Sequence, residues 1–93
     1  MRFEWDPAKA AANLEKHGVS FPEATTVFGD PFELTIPDPD HSVREQRFLS
    51  LGLSAENRVL LVSYTERGNT VRIIHARAAA PKERRTYDAG KTT

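Results

Sequence analysis

A chain of 93 residues has room for one compact core, and 39% hydrophobic with 28% charged residues is the balance of a folded domain rather than a disordered one. Cysteine is absent, the formal net charge is zero, and no apolar run approaches the roughly 20 residues that cross a bilayer. Disulfide scaffolds, thiolate metal centres and helical membrane anchors are excluded. The opening Met1-Arg2-Phe3-Glu4-Trp5-Asp6 does not read as an export signal, so the cytoplasm is the expected compartment. The neutral total hides an asymmetry: residues 1–57 carry five bases and ten acids, a net of minus five, and residues 58–93 carry eight bases and three acids, a net of plus five. A basic C-terminal part points toward a polyanionic partner.

In chain order, Phe3 and Trp5 alternate with Arg2, Glu4 and Asp6, the period of a short strand with one buried face. Asp6-Pro7 predicts a helix N-cap with proline in the first turn, and Gly18 the stop, so a first helix is expected from Pro7 to about His17. Ser20 with Glu23 predicts a capping box opening a second helix that ends near Gly29, with Ala24, Val27 and Phe28 on its apolar face. Phe32 to Ile36 predicts a brief strand before a loop through Ser42, broken by Pro37-Asp38-Pro39-Asp40. Strands follow at Arg47–Leu53, Val59–Glu66 and Val71–Ala78, joined by short links that imply antiparallel neighbours. Pro81 opens a last helix to about Tyr87, with Gly90 as its end. The expected architecture is α+β: an antiparallel sheet with two N-terminal helices on one face and a short C-terminal helix, one domain over residues 1–90 and a frayed tail at 91–93.

No phosphate-cradling glycine loop, nucleophile elbow or metal-ligand spacing is present, and His17, His41 and His75 fall in separate elements, so no metal and no cofactor is expected. The suggestive stretch is Arg72-Ile73-Ile74-His75-Ala76-Arg77. Strict alternation places Arg72, Ile74 and Ala76 on one face and Ile73, His75 and Arg77 on the other. RNA cleavage by its own 2′-hydroxyl needs a base, cations for the phosphorane and an acid for the 5′-oxygen. Arg77 suits the charge-stabilising task and His75 the acid or base. The bland alternative makes Arg77 a surface cation and His75 a half-buried hydrogen-bonding residue. Arg47, Arg67, Arg72 and Arg85 are candidates for binding the phosphate chain, and Tyr64 and Tyr87 for base stacking or proton transfer. Asn13 and His17 share a helix face, and their preferred role is structural, fixing the turn into the second helix.

Phe3-Glu4-Trp5-Asp6, Asn13 through Lys16-His17-Gly18-Val19-Ser20-Phe21, then Ala24 and Val27-Phe28, resemble the BrnT family of toxins. The likeness continues through Arg47, Leu51-Gly52-Leu53, Leu61-Val62, Tyr64-Thr65-Glu66-Arg67, Arg72-Ile73-Ile74, Ala76-Arg77, Ala79, Glu83-Arg84 and Tyr87. The resemblance implies a RelE-like fold and an endoribonuclease that inhibits translation. It also implies neutralisation by a BrnA-like antitoxin, which alone contacts operator DNA, and is compatible with a dimer inside the toxin–antitoxin complex. This chain has His75 where the family usually has serine, and Ala78-Ala79-Ala80 where Lys-Ala-Thr often leads into the last helix. The competing function is a non-catalytic module that binds an antitoxin and tunes repression.

Overall fold

A computed structural model of the chain describes residues 1–41 and 45–91. Strand β1 is Arg2–Glu4, helix α1 Pro7–His17 and helix α2 Phe21–Thr25, which tightens into a 3-10 turn over Thr26–Gly29. Strand β2, Leu34–Pro37, precedes a second 3-10 turn at Pro39–His41; strands β3 (Arg47–Leu53), β4 (Val59–Arg67) and β5 (Thr70–Ala78) follow, and helix α3, Pro81–Lys91, is the last described element. The expected loop through Ser42 and the tail residues Thr92 and Thr93 lie partly or wholly outside the described residues.

Local chemistry accounts for the helix ends. The Asp6 carboxylate accepts from the backbone N–H groups of Ala8 and Lys9, and Gly18, at φ 68°, donates its N–H to Leu14. Ser20 Oγ accepts from the Glu23 N–H at 3.1 Å, but the Glu23 side chain turns to Ser54 and Arg58, so only half of the expected capping box forms. The last helix runs through Gly90 to Lys91 instead of ending there. Gly90 carries no positive φ, and a helix that is already anchored by its buried Tyr87 tolerates one glycine at modest cost.

Among the described residues the sheet has five strands in the order β1-β5-β4-β3-β2. The expected antiparallel sheet is in fact mixed, because β1 pairs parallel to β5 while the other neighbours are antiparallel. The chain leaves β1 through α1 and crosses the sheet before returning beside it, a path a short hairpin cannot make. One face buries Leu60, Val62, Tyr64, Val71, Ile73 and Ala76 against Val19, Phe21, Ala24 and Val27, with Phe3, Trp5 and Phe28 at the margin. Gly52 permits this packing, since a Cβ there would lie 2.7 Å from Val27 Cγ1. On the opposite face α3 lays Tyr87 on Leu51 and Val59 and covers part of it.

Two features of β5 set the rest. Ser63 faces His75 and Tyr64 faces Ile73, so Ile74 is an extra residue in the ladder, a β-bulge. The bulge reverses the alternation: Ile73 and Ala76 are buried in the helix-covered core, whereas Arg72 precedes it and His75 and Arg77 follow it on the other face. Beyond β1 the free edge of β5 is closed by Asn13. Its amide donates to Ala76 O at 2.8 Å and Val19 O at 3.0 Å and accepts from Ala76 N at 3.2 Å, the exchange a neighbouring strand would have made. Helix α1 therefore straddles the sheet edge as well as covering a face. Asn13 is 6% exposed. Asn13→Ala orphans an N–H and two carbonyls, and urea unfolding is expected to show a loss of about 2–4 kcal/mol, with the stability of Leu14→Ala nearer the native value.

Candidate active site

The open face forms a groove of about 340 Å³ lined by Asp38, Arg47, Leu49, Leu61, Ser63, Ile74, His75 and Arg77. Three antiparallel strands supply it through their register: Leu49 lies opposite Ser63 and Ser63 opposite His75, while Leu61 lies opposite Arg77. Asp38 is held at the rim by its backbone N–H, which donates to Arg47 O at 2.8 Å. A larger hollow of about 510 Å³ beside the β4–β5 hairpin, lined by Met1, Arg2, Glu66 and Asn69 among others, gathers no histidine and has Arg2 as its one basic side chain. The groove brings His75 together with Arg47 and Arg77.

Arg77 donates from both terminal nitrogens to Glu83 of α3, at 2.8 and 2.9 Å, and also to Ala78 O at 3.2 Å. Three of the five guanidinium donors are so occupied, which leaves two for a ligand. Glu83 also accepts from Ala80 N at 2.8 Å, replacing the cap that Ala80 cannot offer α3. The Arg77 hydrogen bond holds the Glu83 carboxyl below the usual carboxylate range, and Glu83 in turn raises Arg77. The pair persists at neutral pH, with Arg77 side chain 34% exposed.

His75 reaches the sheet edge, where its Nε2 lies 3.0 Å from Nε2 of His17 and the two rings meet edge to face. Burial is the main force pushing the His75 pKa down, helped by the cationic surroundings of His17, Arg77 and Lys16. Helix spacing alone gives His17 a structural role; its approach to His75 depends on where Asn13 seats α1, which has no local signal.

The remaining candidates divide. Arg47 joins Arg77 and His75 in the groove. Arg72 sits beside Thr65, itself opposite Arg47, but its guanidinium donates to Glu4 at 2.6 Å. Arg67 stands at the far end of β4 in a two-pronged pair with Glu45 at 2.7 and 2.8 Å. Arg85 is exposed on α3, two residues from both Glu83 and Tyr87 and hence turned away from the face that meets the sheet. The two tyrosines need correction. Tyr64 is 3% exposed, between Phe28 and Phe48 in the core, and presents no ring to a base. Tyr87 is 1% exposed, donates its hydroxyl to Asp30 at 2.5 Å, and has its pKa pushed up to about 12, first by burial and then by that carboxylate. Neither phenol reaches the groove; both were chosen for their chemistry, which carries no information about the side of the sheet they occupy.

The polyanion reading of the charge asymmetry is also reduced. Arg58 pairs with Glu23, Arg67 with Glu45 and Arg72 with Glu4, so basic residues of the later part spend much of their charge on acids of the earlier part.

A five-stranded mixed sheet with helices packed on it and a groove bearing arginines and a histidine is the frame of a small α+β protein. The family model described as the ribonuclease toxin, BrnT, of type II toxin–antitoxin systems matches residues 5–83. The chain belongs to that family: it is a toxin and a ribonuclease, of the kind neutralised by a cognate antitoxin. Among solved structures, it is similar to the Brucella abortus ribonuclease toxin BrnT, with a TM-score of 0.68 and 20% identity over 86% of this chain and 97% of that one. At that identity the likeness speaks for the fold. No curated protein sequence matches the chain. No helix is long and apolar enough to cross a membrane among the described residues.

Because Tyr87 is sealed from the groove, Tyr87→Phe is expected to leave the rate of RNA cleavage per folded molecule unchanged. It should lower stability by about 1.5–3 kcal/mol through loss of a hydrogen bond to a charged partner, read by urea unfolding beside the cleavage assay.

Proposed function

We propose that the open-face groove is the ribonuclease site, and that it cleaves RNA through the substrate's own 2′-hydroxyl, with no bound metal. The observation that carries this reading is the convergence of Arg47, His75 and Arg77 in one groove on the side of the sheet that α1 and α2 leave open. Attack of the 2′-oxygen on phosphorus puts additional charge on the non-bridging oxygens. Arg77 is placed to meet it with its two remaining donors. His75, favoured in its neutral form, is suited to take the 2′-hydroxyl proton. Arg47 binds the flanking phosphate, with Arg72 next along the face; Arg67 and Arg85 lie outside the groove and contribute only at a distance. Asp38 at the rim restricts how far the chain extends past Arg47.

The reading also takes residues 1–90 as one RelE-like domain that acts in the cytoplasm. Its partner is a BrnA-like antitoxin that carries the contacts to operator DNA, with a dimer of toxins inside the complex. The packing of α1, α2 and α3 around one sheet supports the first of these, and membership of the family the second. The module without catalysis has no observation of its own in its favour, since antitoxin pairing does not call for histidine and arginine in one groove.

Arg77→Ala is expected to abolish growth inhibition on induction without antitoxin, and to leave total RNA intact on a gel. Because Arg77 also orders the start of α3 through Glu83, Arg77→Lys serves beside it, keeping a cation but not the two-pronged geometry. Toxicity that survives in both variants removes Arg77 from the mechanism. Arg47→Ala should flatten the salt dependence of single-stranded RNA binding by about 0.7 in log–log slope, the value of one lost phosphate contact, in a fluorescence titration over ionic strength.

A further inference from the structure

The groove accounts for a base and for phosphate-binding cations, but it offers no group to protonate the departing 5′-oxygen. Both groove tyrosine candidates are buried, and an arginine does not release its proton in the physiological range. Around the sheet edge lies a second, smaller hollow of about 190 Å³, lined by Lys9, Ala12, Asn13, Lys16, His17, Ile74 and His75. It shares Ile74 and His75 with the first groove, so the two meet at His75. At that junction stands His17, from an element 58 residues away in the chain, with its Nε2 3.0 Å from Nε2 of His75.

A 3.0 Å contact between two ring nitrogens requires one to carry a proton and the other a lone pair. Two neutral rings meet that requirement, and so do one charged and one neutral ring; with one added proton the pair holds an acid and a base side by side. The charged groups facing the pair are Lys9 and Lys16 from α1 and Arg77 from β5, with Arg47 and Asp38 further along the groove. This is mainly cationic company, which suits a phosphodiester more than a metal cation. Among the described residues no third histidine, aspartate or glutamate joins the two to complete a metal-ligand set.

We propose that His17 is the second acid–base residue of this ribonuclease: His75 removes the 2′-hydroxyl proton and His17 protonates the 5′-oxygen. The inference rests on the groove being the cleavage site. The steps balance. The lone pair of neutral His75 accepts the 2′-hydroxyl proton as the 2′-oxygen bonds to phosphorus. The bond from phosphorus to the 5′-oxygen then breaks, and its electron pair takes the proton of His17. The products are a 2′,3′-cyclic phosphate and a 5′-hydroxyl, with His75 protonated and His17 neutral. Once the products leave, the direct contact between the rings returns the proton from His75 to His17 and resets the pair. The lowered pKa of His75 gives the direction, since in a pair that shares one proton the group favoured as neutral is the base.

The test uses the purified chain and an oligoribonucleotide spanning the site that the wild-type protein cleaves, assayed with and without ribosomes. His17→Gln and His75→Gln should each slow cleavage about 10²- to 10⁴-fold. The wild-type pH profile should be bell-shaped, with its acidic limb below the ordinary histidine value of 6.5, because protonated His75 cannot act as base. H75Q should lose the acidic limb. A substrate with sulfur in place of the scissile 5′-oxygen leaves without needing a proton, so it should restore H17Q toward the wild-type rate and leave H75Q slow. That rescue is blind to folding defects, which slow both substrates alike. A wild-type protein that leaves RNA intact in both conditions overturns the ribonuclease reading of the groove and the pair with it. A wild-type protein that cleaves, beside an H17Q variant that is either unimpaired or equally slow on both substrates, overturns the role of His17 alone.

Discussion

The side chain of Asn13, lying along the uncovered edge of β5, is the interaction from which the arrangement of the site follows. Strand β1 is only three residues long and pairs with the beginning of β5, so the backbone at Ala76 would otherwise end in a buried, unpaired edge. Three hydrogen bonds from one amide satisfy that edge and the Val19 carbonyl together. They also determine how α1 lies against the sheet. Because His17 is one turn beyond Asn13, seating the asparagine seats the histidine, and the 3.0 Å approach to His75 is the result. The bulge at Ile74 acts from the other side by turning His75 and Arg77 toward the face that α1 and α2 leave open.

Charge is organised just as tightly. Folding brings the acidic and basic parts of the chain together in pairs such as Arg58 with Glu23, which ties the β3–β4 turn to α2. There the Arg58 hydrogen bond keeps the buried Glu23 carboxyl below its usual range, so this tie is fully in force above the ordinary carboxylate value and fades as the pH falls through the lowered one. Three charged side chains, Asp38, Arg47 and Arg77, line the groove. A phosphodiester would meet a few placed groups and not a diffuse positive surface.

Much of the fold was legible because its signals are local. Asp6-Pro7, Gly18 and Ser20 mark helix ends by satisfying backbone groups within three residues, and the runs around Leu51, Leu61 and Ile73 carry a strand's composition. What escaped is non-local. A bulge depends on a partner strand, so alternation along β5 misassigned Arg72 relative to Arg77. The parallel pairing of β1 depends on where α1 returns the chain. Tyr64 and Tyr87 have the right chemistry for RNA but lie in the two cores, and only packing decides that. His17 was undervalued for the same reason, since its partner lies 58 residues on and no spacing within a helix announces it.

The anchoring of α3 carries a further implication for the C-terminal end. One ring, Tyr87, closes the smaller core over Leu51 and Val59, and its hydroxyl is tied to Asp30, whose carboxylate also receives the N–H of Leu53. Removing everything after Ala80 would thus strip a lid from three strands' worth of aliphatic surface and release Arg77 from its only carboxylate among the described pairs. A polar, glycine-bearing stretch that looks expendable on composition is in this sense the keystone of the sheet's outer side, and trimming it would disturb solubility and the groove in one stroke.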